Sequence, residues 1–88
     1  KMSKGFKDTQ ITSYDLTTRY NWTLEQKEDS TESFSFLETF TKDGYTIKVD
    51  MQRYPLQFLI YDTDNELIFN NYIETKKGFE YVIKCLNI

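Results

Sequence analysis

Apolar and polar residues alternate along most of this chain, starting after a polar and basic segment at residues 1–10. The apolar side of the first alternating run carries six residues: Tyr14, Leu16, Thr18, Tyr20, Trp22 and Leu24. A period of two is typical of an antiparallel strand with one buried face. Because the run is longer than most strands, we expect a bulge or bend within it. We predict that residues 1–10 form a flexible terminal arm.

The next segments predict a hairpin. Residues 45–51 alternate again, directly after Asp43-Gly44, a pair that tolerates the positive φ of a tight turn. Residues 33–41 fit two interpretations, because their phenylalanines match the spacing of a strand and, together with Leu37, that of a helix face. We favour the strand, since a hairpin turn follows it at once.

Two further strands are predicted after Pro55, which cannot donate to a strand ladder. Residues 56–61 are apolar at both odd and even positions, which indicates a central strand covered on both faces. A polar turn follows, and residues 67–73 then read as another strand. Its two sides would carry Leu67, Phe69 and Ile73 on one face and Ile68 and Tyr72 on the other.

The period changes near the C-terminal end. Four apolar residues recur at the spacing of one helix face: Phe79, Val82, Ile83 and Leu86. Thr75 is a suitable N-cap, and Glu80 and Lys84 form an i,i+4 pair of opposite charge. The chain therefore predicts an α+β fold, with about five antiparallel strands in a meander and one C-terminal helix packed on one face. We assign residues 11–88 to this single domain.

The composition narrows the chemistry. The chain has seven phenylalanines, seven tyrosines and one tryptophan, but no histidine and one cysteine. The usual zinc ligands and nucleophile–histidine pairs are therefore missing. Asp62, Asp64 and Glu66 alternate as in a calcium loop, but Leu67 and Ile73 stand where that loop needs glycine and glutamate. We predict a non-enzymatic protein without a catalytic, metal or cofactor site, and interpret this acidic segment as a turn.

The charge and the single cysteine, Cys85, bear on partners and compartment. Eleven basic against 14 acidic residues give a net charge of −3, whereas duplex DNA binders usually present a basic face. Cys85 has no second cysteine for an internal disulfide, and no apolar leader follows the first lysines, so we expect an intracellular protein. No apolar run is long enough to predict a membrane span.

These exclusions lead to a hypothesis of protein recognition. Acidic loops attract basic partners, and exposed aromatic residues often anchor an interface. The candidate partner-binding residues are Trp22, Glu25, Glu28, Asp29, Glu32, Tyr54, Asp62, Asp64 and Glu66. An exposed edge of the sheet offers a second route, by accepting a strand from a partner or from another copy of the chain.

Two narrower hypotheses accompany this one. The bias towards Lys, Asn, Ile, Tyr, Phe and Glu, with no alanine, indicates an AT-rich genome. We therefore consider a phage or mobile-element inhibitor of a host defence or replication protein. The alternative is a single-stranded nucleic-acid-binding domain that stacks bases on sheet aromatics beside Arg19, Lys48 and Arg53. The acidic balance of the chain counts against that alternative.

Overall fold

Five strands form one antiparallel sheet whose spatial order follows the chain. In the computed structural model, which describes residues 9–27 and 37–88, the strands are β1 (Thr23–Lys27), β2 (Leu37–Lys42), β3 (Tyr45–Asp50), β4 (Gln57–Tyr61) and β5 (Leu67–Tyr72). One helix, α1 (Lys76–Leu86), follows the sheet. The predicted α+β meander with a C-terminal helix is confirmed.

The turns between the later strands follow the local sequence. Asp43 and Gly44 adopt φ values of 52° and 87°, the left-handed region that a two-residue hairpin turn requires. In the β4–β5 turn, Oδ1 of Asp62 accepts the backbone N–H groups of Asp64 and Glu66, each at 2.9 Å. Asp62 thus fixes the turn through its own side chain. The choice of strand over helix is also confirmed for residues 37–41, whereas residues 33–36 lie outside the described ranges.

The first alternating run is not one strand, so that prediction was wrong. Asp15–Arg19 form a π-helical turn, and β1 begins only at Thr23. The cause is local: Oδ2 of Asp15 accepts both the N–H and the hydroxyl of Thr12 at 3.0 Å, and Arg19 lies 3.5 Å from its Oδ1. Such side-chain bonds offer the backbone an alternative to a strand ladder. Leu16 is nevertheless fully buried, because the turn directs it into the core.

The core lies between one face of the sheet, the N-terminal segment and α1. Phe79 of α1 is 1% exposed, and its ring centroid lies 5.9 Å from that of Phe58 on β4. The predicted helix stripe is confirmed, because its other three residues also pack against this core: Val82, Ile83 and Leu86. The other fully buried side chains are Ile11, Leu16, Phe40, Ile47, Val49, Leu56 and Ile60. We call this side of the sheet the covered face.

The opposite side of the sheet, here the open face, is covered by no element among residues 9–27 and 37–88. The prediction that residues 56–61 are buried on both sides was therefore wrong. Phe58 and Ile60 are fully buried, whereas Leu59 and Tyr61 are only half-buried on the open face. A single helix of 11 residues covers one side of a sheet, and the N-terminal turn packs on that same core.

The start of the described chain is tied to the end of the sheet. Gln10 forms an antiparallel bridge with Thr75, and the N–H of Ile11 donates to the carbonyl of Glu74 at 3.0 Å. Gln10 therefore belongs to the fold instead of the predicted flexible arm. Apart from Thr9, the other residues of the predicted arm are 1–8, which lie outside the described residues.

Candidate functional site

Strand β5 is one edge of the sheet, and within the described residues it pairs only with β4. The N–H of Ile73 donates to the carbonyl of Leu56 at 3.0 Å, on the β4 side. The backbone N–H and C=O groups of successive residues point to opposite sides of a strand. Those of Asn71 therefore also point towards β4, whereas those of Asn70 and Tyr72 point outwards. These outward groups can pair with an additional strand.

The side chains of β5 are unusually exposed for a strand with this much apolar character. Tyr72 is 59% exposed, Leu67 49% and Ile68 36%. They adjoin the half-buried Leu59 and Tyr61 on the open face. An apolar patch beside an unpaired strand edge is typical of an interaction surface. We call the following residues the β5 surface: Leu59, Tyr61, Leu67, Ile68, Asn70 and Tyr72.

A bulge at the start of β5 places Leu67 on this surface. The pairing register shifts between Ile60 and Tyr61, so Leu67 lies opposite Tyr61 of the open face. The sequence predicted Leu67 on the same face as Phe69, and that assignment was wrong. A bulge adds one residue to a strand and so reverses the alternation on one side of it.

Little protects this edge against a partner. Natural edge strands usually carry charged residues or proline, and β5 contains neither. The bulge at Leu67 is one protective device. Another is the side chain of Asn71, whose Oδ1 accepts the N–H of Tyr72 at 2.8 Å. Asn70 is held in place by Gln57, whose Nε2 donates to its Oδ1 at 2.6 Å.

The two ends of β5 differ in charge. Three carboxylates precede the strand, in the β4–β5 turn: Asp62, Asp64 and Glu66. Glu74, Lys76 and Lys77 follow it, so basic residues outnumber acidic ones at that end. An extended segment beside β5 is therefore best matched when a basic residue lies next to the turn. Of the predicted acidic candidates, the structure thus brings Asp62, Asp64 and Glu66 next to the β5 surface.

The other predicted partner-binding residues are dispersed. Trp22 is 3% exposed, so it is a core residue and its assignment to a docking surface was wrong. Glu25 lies at the opposite edge of the sheet and accepts the hydroxyl of Thr41 at 2.9 Å. Tyr54 is 54% exposed in the β3–β4 connection, beside a pocket of about 200 Å³. The acidic candidates Glu28, Asp29 and Glu32 lie outside the described residues.

Sequence reasoning missed the residues that form the β5 surface. It foresaw an exposed edge but not which strand would supply it. One usable signal was present, because the last strand of a meander is an edge unless another element pairs with it. Leu67, Ile68 and Tyr72 were assigned to strand faces without that step.

The basic residues proposed for nucleic-acid binding do not share a surface. Lys48 lies on the open face, with its Nζ 5.7 Å from the ring centroid of Tyr61. Arg19 belongs to the π-helical turn and pairs with Asp15, while Arg53 lies in the β3–β4 connection. A single strand of nucleic acid needs a continuous basic track beside its stacking residues. This arrangement does not favour that function.

Comparisons with protein-family models, with curated proteins and with solved structures found no match to this chain. Within the described ranges, no cluster of three or more histidine, cysteine or acidic side chains is placed to hold a metal ion. None of the helices described there has the length and apolar character needed to cross a bilayer.

Proposed function

We propose that this protein is a protein-binding module that pairs β5 with an extended segment of another protein. One observation carries the proposal: β5 is an uncharged edge strand with outward backbone groups and three exposed apolar side chains. Addition of a strand to such an edge provides main-chain hydrogen bonds for affinity and side-chain contacts for specificity.

The β5 surface has enough apolar area to contribute to binding. Full burial of a large apolar side chain contributes about 1.5–3 kcal/mol. Leu67, Ile68 and Tyr72 retain between 36% and 59% of their exposure, so each would contribute on the order of 1 kcal/mol. Backbone pairing adds to this, and the acidic turn before β5 selects a partner with a basic residue at that end.

A proline substitution tests the backbone pairing directly. Asn70→Pro removes an outward N–H, so it blocks an added strand without removing a β4 ladder bond. Asn70→Ala is the matched control, because it loses the same hydrogen bond from Gln57 but keeps the N–H. Peptides that bind the wild-type protein would be selected from a displayed random library and titrated against all three proteins by calorimetry.

We expect the selected peptides to bind the Asn70→Pro variant at least about tenfold more weakly, a difference of about 1.4 kcal/mol. Binding to the Asn70→Ala variant should stay within about twofold, a difference well under 1 kcal/mol. Peptides that bind all three proteins equally would contradict the proposal, and so would a library that yields no binder. Thermal unfolding of both variants provides the check on their folds.

A second copy of the chain is the competing occupant of the edge. Self-pairing about Asn70 would set Ile68 opposite Tyr72 of the other copy. Sedimentation equilibrium distinguishes the two cases. If the wild-type protein is a dimer and becomes monomeric on Asn70→Pro, but not on Asn70→Ala, the strand that pairs with β5 comes from a second copy of the chain and not from another protein.

The hypothesis of a phage or mobile-element inhibitor is a narrower form of the same proposal, and it is supported by composition alone. In that form, a host protein supplies the paired segment and loses activity when it is bound. Once a host partner has been purified, its activity would be titrated with wild-type protein and with the Asn70→Pro variant. Equal inhibition by both would contradict this form.

A further inference from the structure

A groove of about 390 Å³ lies between the π-helical turn, β2 and α1. It shares no residue with the β5 surface, so an occupant of one leaves the other free. Its volume is within the range of sites for small molecules. Its charges and its aromatic wall determine which ligand fits it.

Basic side chains dominate the groove although the chain as a whole carries a charge of −3. Arg19, Lys42 and Lys84 line it, together with one carboxylate, Glu80. Asp15 pairs with Arg19, so Lys42 and Lys84 against Glu80 leave a net positive charge on the side chains of the groove. A concave site with a net positive charge attracts anions locally.

The charges of two of these cations are not neutralised nearby. Lys42 donates from Nζ to the backbone carbonyl of Tyr20 at 3.0 Å, so its hydrogen-bond partner is uncharged. The side chain of Lys84 is exposed and makes no hydrogen bond or ion pair within the described residues, although its backbone carbonyl accepts the N–H of Asn87. Arg19 is already engaged, since its Nε lies 3.5 Å from the Asp15 carboxylate. Lys42 and Lys84 are therefore the cations available to a ligand.

The wall of the groove is apolar and aromatic. Tyr20 and Phe79 pack with ring centroids 5.0 Å apart, and Phe79 is 1% exposed, which fixes this pair against the core. Ile83 lines the groove from the next turn of α1. The one carboxylate, Glu80, accepts the hydroxyl of Tyr20 at 2.6 Å, so it has its own partner in the wall.

We propose that this groove binds a small organic anion that carries an apolar body. The anionic group would lie beside Lys84 and Lys42, and the apolar body would lie against Tyr20 and Ile83. Charge alone would be a weak attraction at an exposed lysine, and the apolar wall alone would not select an anion. The combination selects amphipathic anions over neutral molecules of the same shape.

The probe is 2-naphthoate, and its neutral counterpart is 2-naphthamide. Both would be titrated into the wild-type protein at neutral pH and low salt, with binding followed by two-dimensional amide NMR. Lys84→Gln removes the unpaired cation of the groove. Lys77→Gln, on the same helix but outside the groove, removes an equal charge and serves as the matched control.

We expect saturable binding of 2-naphthoate, with shifts at Tyr20 and Ile83, and at least about tenfold weaker binding of 2-naphthamide. Lys84→Gln should weaken 2-naphthoate binding several-fold, and Lys77→Gln should have little effect. Equal affinity for the two probes would overturn the proposal. So would equal effects of the two substitutions, or no saturation at millimolar concentration. Because Lys84 is exposed and unpaired, loss of folding is not expected, and unchanged NMR spectra of the free variants verify this.

Discussion

The hydroxyl of Tyr20 donates a 2.6 Å hydrogen bond to Oε2 of Glu80, which joins the segment before β1 to helix α1 across 60 residues of sequence. The ring of Tyr20 packs against Phe79 of the same helix. The sequence predicted that Glu80 would pair with Lys84 along the helix. The structure gives Glu80 a tertiary partner, so this carboxylate helps to hold the turn on the core.

The first prediction concerns stability at alkaline pH. Burial, and then the hydrogen bond and charge of Glu80, raise the pKa of Tyr20 well above its ordinary value of 10.0. Above that pH the unfolded chain releases the phenol proton while the folded protein keeps it. Stability is thus fully present below about pH 10 and falls as pH rises towards the folded pKa. Chemical denaturation at a series of alkaline pH values measures this fall.

Tyr20→Phe should flatten that alkaline loss of stability. Near neutral pH the same variant should lose about 0.5–1.5 kcal/mol, towards the lower end because the bond is solvent-exposed. Tyr14→Phe is the control, since its side chain is 72% exposed and the structure records no contact with Glu80. An equal alkaline slope for Tyr20→Phe and the wild type would show that Tyr20 does not cause the loss.

A second prediction concerns Ser13 and Glu38. Oγ of Ser13 donates to Oε1 of Glu38 at 2.6 Å, and Glu38 is only 7% exposed on the covered face of β2. Ser13→Ala takes a donor from a buried carboxylate and should lower the free energy of unfolding by about 1.5–3 kcal/mol. In a Glu38→Leu background the same substitution should cost much less. Urea denaturation of the four proteins gives the coupling, and independent effects would contradict it.

Gly44 should not tolerate a side chain. Its φ is +87°, and an added Cβ would lie 3.0 Å from Cγ2 of Thr63 in the neighbouring turn. Gly44→Ala should therefore destabilise the protein by about 1–2 kcal/mol from backbone conformation alone, with a steric contribution added. Thr63→Ser removes Cγ2, so in that background the penalty should fall but persist. If the penalty of Gly44→Ala disappeared completely in that background, the whole effect would come from the contact with Cγ2 of Thr63 and none from the backbone conformation.

Thr75 should matter as the N-cap of α1. Its side chain accepts the N–H of Gly78 at 3.0 Å, as the sequence predicted. Thr75→Ala should cost about 1 kcal/mol, within a range of about 0.5–2 kcal/mol. Thr75→Ser retains an accepting hydroxyl and should recover most of that loss. Thermal denaturation monitored by circular dichroism provides the comparison, and equal losses for both variants would exclude a capping role.

Local patterns were enough to predict much of the fold. The Asp43-Gly44 turn, strand β3 and the cap and stripe of α1 each depend on residues close together in sequence. A two-residue hairpin turn of this type needs positive φ at two adjacent positions, and a helix stripe needs apolar residues at fixed spacing. Such signals do not depend on what packs against the element. The sequence therefore determined which segments become strands and helix over most of residues 37–88.

The candidate site depends on tertiary structure. Trp22 lies on the apolar side of the alternating run and was proposed as a docking residue, but it is 3% exposed and belongs to the core. The alternating pattern places Leu67 on the face of Phe69, but the bulge opposite Tyr61 moves it to the open face. Within the described residues, α1 covers one face of the sheet, and β5 is an edge because no strand pairs with its outer side. The sequence by itself determined most of the elements and turns of residues 37–88, whereas packing decided which apolar residues remained exposed.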